Sequence, residues 1–142
     1  MIIKLPLTDI QRGILIGIPD VIEVKEMNLR KLISADFVES ELEEAEVLFN
    51  HKYIRGAGAL AGVALEKHLV ILCQINNVPY DHKDTINPLA TNLYSNNVLD
   101  ISELKKIEHL GSIRNKCDHP KDIKKLEVRE LIDETKKFIN NH

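Results

Sequence analysis

The sequence predicts an all-α fold, a four- to five-helix up-and-down bundle behind a short N-terminal extension. Three observations carry the prediction. No segment sustains the period-two alternation of a half-buried strand. From residue 36 onward, apolar residues recur at helical spacing in one segment after another. Breaks rich in Asn and Pro separate these segments, short enough to fold each helix back on its neighbour. The 142 residues, 44% of them hydrophobic, suffice for one domain with its own core.

Residues 1–35 are set apart as an extension or arm. Pro6, Gly13, Gly17 and Pro19 break its first part, GILIGI could form one extended piece, and Val21 to Ile33 has a mixed helical pattern. The helical domain spans 36–142. Asp36 with Glu39 three residues on predicts a capping box, opening a helix with Val38, Leu42, Ala45 and Phe49 on one stripe. Its acids, Glu39, Glu41, Glu43, Glu44 and Glu46, read as a solvated face. Residues 53–77 give the strongest pattern, with Ile54, Ala57, Ala61, Leu65, His68, Leu72 and Ile75 in register.

The first half of that helix is rich in Gly and Ala. Each helical glycine costs roughly 1 kcal/mol against alanine, so packing or function must offset it. Close packing within the domain is the first reading, and a dimer contact the alternative. Arg55 and Glu66 are eleven positions apart, nearly whole turns, and so share a face opposite much of the apolar stripe. Asn76-Asn77-Val78-Pro79 ends the helix. A short helix follows at 86–95, and Asn96-Asn97 breaks the chain again. Asp100 and Glu103 predict a second capping box on a helix over 101–117 that buries Leu104, Ile107, Leu110, Ile113 and Cys117. The last helix, about 127–140, has Val128, Leu131, Ile132, Thr135, Phe138 and Ile139 on one stripe.

Composition narrows the function. A net charge of -3 excludes a generally basic nucleic-acid-binding surface and leaves room for a local basic patch. Two cysteines far apart, Cys73 and Cys117, suggest a reducing compartment, with neither a disulfide framework nor a zinc site. The apolar runs read as too short for a membrane span, and MIIKLPLTDIQRG does not make a signal peptide. The expected location is the cytoplasm, away from membranes.

The chemistry concentrates in SIRNKCDHP, residues 112–120. His119 precedes Pro120, which forces it out of helical geometry, so it lies at or beyond the helix end. Arg114 lies about one turn inside. On a continuous helix the two would point about 140° apart, and a stop at 117–118 lets His119 turn back. Arg114 supplies a planar fork for a phosphate, His119 a proton donor or acceptor near neutral pH, and Asn115 a carboxamide to orient either. This set suits attack of a ribose 2′-hydroxyl on its own phosphodiester, with no metal or cofactor. Lys116, Lys121, Lys124 and Lys125 would attract an RNA backbone. The spacing alone also arises by chance, and lysines at a helix C-terminus are what the helix dipole favours.

RNKCDH resembles the Arg-x4-6-His motif of the HEPN superfamily (higher eukaryotes and prokaryotes nucleotide-binding), with the favoured Asn directly after Arg. KKIEHLGSIRNKCDHP, AGALAGVALEKHLVILCQINNVPY and EVRELIDETKKFI are similar to family helices, so the resemblance covers roughly 36–140. It implies a helical bundle that dimerises, with two motifs facing across the dimer to form one composite site. It implies a metal-independent endoribonuclease of toxin–antitoxin, phage-defence or RNA-processing systems, leaving a 2′,3′-cyclic phosphate and a 5′-hydroxyl. By position, His119 becomes the general acid/base, Arg114 the phosphate ligand and Asn115 the positioning group. Lys116, Lys121, Arg55 and Glu66 become secondary RNA-contacting candidates, although surface exposure is the plainer reading of Arg55 and Glu66. The expected partners are RNA, such as a tRNA, a second copy of the chain, and an antitoxin or larger defence complex. A nucleotidyltransferase-type antitoxin is one such partner. The alternative is a non-catalytic HEPN module that binds RNA, nucleotide or a protein.

Overall fold

The periodic segments become helices within a residue or two of where the sequence places them. A computed structural model describes residues 36–119 and 122–142, which form an all-α bundle of five helices with no strand among the described residues. We label them α1 (36–50), α2 (Ile54–Ile75), α3 (Ile86–Ser95), α4 (Ile101–Lys116) and α5 (Lys125–Asn140). The expectations for residues 1–35 and for Lys121 lie outside the described residues.

α2 is the centre of the bundle and contacts α3, α4 and α5. Its 22 residues are long and apolar enough to cross a membrane by length and composition, contrary to the reading of the runs as too short. In the fold they are the core helix: Ala57, Ala61, Ala64, Leu65, Leu69 and Cys73 are fully buried. The stripes of α4 and α5 close on it through Ile107, Leu110, Ile113, Val128, Leu131 and Ile132. His68 is buried as its place on the apolar stripe requires, edge-on to Phe138 at 5.4 Å between ring centres.

Two helical glycines are explained by close approach. A Cβ on Gly58 would lie 2.3 Å from Cys117 Sγ, and one on Gly62 would lie 2.2 Å from Arg114 Cγ. The small-residue face of α2 is therefore the seat of the C-terminal turn of α4, the packing reading made from the sequence. Gly56 differs, since a Cβ there meets only Leu48 Cδ1 at 3.4 Å.

Three helices end alike. Lys52, Asn77 and Asn97 have φ of 69°, 55° and 61°, the left-handed residue that closes a helix. Behind them Tyr53, Val78 and Val98 donate backbone N–H groups to Leu48, Cys73 and Leu93 carbonyls at 2.8, 2.8 and 2.9 Å. Asn tolerates this conformation, which is why the Asn-Asn pairs are stops. Asp100 and Glu103 form the expected reciprocal capping box at 2.7 and 3.0 Å. Asp36, by contrast, is already helical, so the cap of α1 falls outside the described residues.

The acidic face of α1 is not wholly solvated, which corrects the sequence reading. Glu46 is half-buried and accepts from Arg129 and Lys136 of α5, at 3.0 Å from Arg129 Nη1 and 2.7 Å from Lys136 Nζ. Arg129 also lies over the Phe49 ring at 4.7 Å. The Arg129 hydrogen bond, with help from Lys136, holds the Glu46 carboxyl at about 2 against the opposing effect of burial. Helical periodicity ranks the stripe of α1 correctly but does not say which acid at its edge meets a cation 83 residues away.

Candidate functional site

The end of α4 is built differently from those of α1, α2 and α3. Cys117 keeps right-handed helical angles, φ -63° and ψ -18°. The chain then continues in tight turns: Asp118 N–H donates to Asn115 O at 3.2 Å and His119 N–H to Lys116 O at 2.9 Å. Asp122 N–H in turn donates to His119 O at 3.0 Å. The helix therefore stops where Pro120 predicts. His119 lies just past the end with its backbone held on both sides and its side chain exposed.

Arg114 is anchored from below. Its stem crosses the bare backbone of Gly62, and the side chain is one-third exposed (33%). Asp118, one turn on, faces the guanidinium at 3.4 Å, a loose contact. Asn115 and Arg114 open into a cleft of about 90 Å³ that Glu66 of α2 also lines. The far wall is the start of α3, with Thr85, Ile86 and Asn87, and Gly111 forms the floor. A Cβ at Gly111 would lie 2.6 Å from Asn87 Oδ1, so that glycine lets α3 close on α4.

Three of the expected site residues thus share one cleft: Arg114, Asn115 and Glu66. The structure raises Glu66 from an exposed position to a half-buried one. Arg55 is exposed and donates from Nε to the Cys117 carbonyl at 2.7 Å, capping α4. Lys116 reaches Glu127 at 2.7 Å, while Glu127 also accepts from the Lys124 N–H at 3.3 Å. The Lys116 hydrogen bond lowers the pKa of the Glu127 carboxyl. His119 has no side-chain hydrogen bond or ion pair to Arg114 among the described residues.

No family model, curated protein or solved structure matches this chain. The site is therefore read from its own geometry. That geometry offers a guanidinium on a rigid seat, a carboxamide beside it, and an imidazole in solvent at the same helix end. Sequence reasoning missed Thr85 and Asn87. The signal was Gly111, a glycine inside α4 that marks a close approach without naming what approaches. Both thiols are sequestered: burial pushes Cys73 up to about 11 and raises Cys117 as well.

Proposed function

We propose that this chain is a HEPN-type, metal-independent endoribonuclease, a toxin or phage-defence effector that works at a composite site between two copies. One observation carries the reading. The Arg-Asn-x3-His motif sits on a helix end that α2 is shaped to receive, with Arg114 seated on Gly62 and His119 left in solvent. A surface arginine with no task needs no glycine beneath it.

The chemistry follows from the residue types. Arg114 binds the non-bridging oxygens of the scissile phosphate through its fork and stabilises the charge that builds there. Transesterification then needs a base to take the 2′-proton and an acid to protonate the departing 5′-oxygen. One His119 supplies one of these roles. A second copy facing the first supplies the other, which is the physical reason for a dimer. Asn115 orients the phosphate or the imidazole.

A second reading is favoured by the pairing of cations at the site. Asp118 faces Arg114 and Glu127 holds Lys116, so part of the basic charge is already balanced. That suits a non-catalytic HEPN module binding nucleotide or a protein partner. Incubating the purified chain with total RNA and tRNA in EDTA separates the two. Fragments ending in 2′,3′-cyclic phosphate and 5′-hydroxyl support the enzyme; intact RNA from folded protein supports the module.

A further inference from the structure

The cleft beside Arg114 holds more polar groups than phosphate chemistry needs. Glu66 is half-buried, and neither its carboxylate nor the carboxamides of Asn87 and Asn115 have a hydrogen-bond or ion-pair partner among the described residues. Three other half-buried acids are held by cations, Glu46 by Arg129 and Lys136, Glu127 by Lys116, and Glu134 by Lys106 at 2.6 Å, whereas Glu66 faces the cleft without one among the described residues. Asn87 and Asn115 are exposed and Glu66 is half-buried, so the polar atoms of a ligand can take the place of water on all three side chains. Arg114 does not relieve Glu66 but faces Asp118 instead. A carboxylate and two carboxamides thus converge on one cleft, with a guanidinium at its edge.

From this convergence we infer that the cleft is a nucleobase subsite selective for guanine, with Glu66 reading the base and Arg114 holding the attached phosphate. This deepens the reading above and rests on its nucleotide-binding half. An ionised carboxylate offers two adjacent acceptors and no donor. Guanine alone among the four RNA bases presents two adjacent donors on its Watson–Crick edge, N1–H and the 2-amino group. Adenine and cytosine set a ring acceptor beside their amino group, which would face the carboxylate lone pairs. Uracil has one donor between two carbonyls. Asn87, across the cleft from Glu66, has a carboxamide that can donate to the guanine O6 acceptor. At about 90 Å³ the cleft takes the edge of one unstacked base, the element that single-strand RNA recognition reads, with sugar and phosphate outside toward Arg114.

The test is binding, measured on the full chain without reference to cleavage. 3′-GMP, 3′-AMP, 3′-CMP and 3′-UMP are titrated by calorimetry against wild type and Glu66→Gln, with helicity checked by circular dichroism. Wild type should prefer 3′-GMP by about ten- to a hundredfold, the discrimination of one good bidentate pair. Glu66→Gln, isosteric but with a donor in place of an acceptor, should lose that preference and keep the weaker phosphate-dependent binding shared by all four. Equal affinity for the four nucleotides, no binding of any, or a guanine preference that survives Glu66→Gln overturns the subsite. Cut-site mapping on RNA keeps the two readings separate. Guanine-selective binding without cleavage retains the subsite and rejects the nuclease. Cleavage indifferent to guanine, with unselective binding, rejects the subsite and retains the nuclease.

Discussion

Arg114 and the glycine beneath it make the account testable atom by atom. In α2, Gly56→Ala should stabilise by about 0.5–1 kcal/mol, because its Cβ meets only Leu48 at 3.4 Å and alanine is the better helix former. Gly62→Ala should do the opposite. Its Cβ would overlap the Arg114 stem, so overpacking outweighs propensity and stability falls by about 1–2 kcal/mol. RNA cleavage should fall with it as the guanidinium leaves its seat. Denaturant midpoints for the two variants check the opposite signs. His119→Ala, at an exposed position, should shift stability by less than about 0.5 kcal/mol. Cys73 and Cys117, buried with raised pKa values, should resist a thiol reagent at pH 8 until the protein unfolds.

The helices show where the sequence was legible and where it was not. Stripes and stops were readable because both are local: Ile107, Leu110 and Ile113 follow the helical period, and Asn77 and Asn97 are among the few residues that accept a left-handed turn. Long-range pairing was not. Glu46 belongs to an acidic run on α1, and only the approach of α5 separates it from Glu43 and Glu44. The cap of Cys117 by Arg55 was equally hidden, since the two are 62 residues apart. The Glu46 staple predicts a pH dependence. Its folded pKa lies below the unfolded value, so its stabilisation is complete above about 4.5 and is lost as pH falls toward about 2. Glu46→Gln should cost about 1–2 kcal/mol at neutral pH after allowance for solvent screening. Its stability should then decline less than that of wild type between pH 4.5 and 2, measured by denaturant titration at each pH.

At the scale of the whole molecule, the bundle and its central helix follow from periodicity, whereas the cleft arises from the meeting of three helices. Arg114 and Asn115 were legible because they lie in one short motif, whose His119 is exposed at the same helix end outside the cleft lining. Asn87 and Thr85 were not, because nothing local marks the start of α3 as a wall of the site. The net charge of -3 argues against general nucleic-acid binding. A composite site predicts a dimer, and sedimentation of the purified chain should give twice its 16.2 kDa mass. The most direct test of the central claim compares wild type and His119→Ala on the same RNA in EDTA, with equal folding confirmed by circular dichroism. The account predicts cutting by wild type alone, leaving cyclic-phosphate ends. Equal cutting by both proteins, or unfolding on loss of His119, would contradict it.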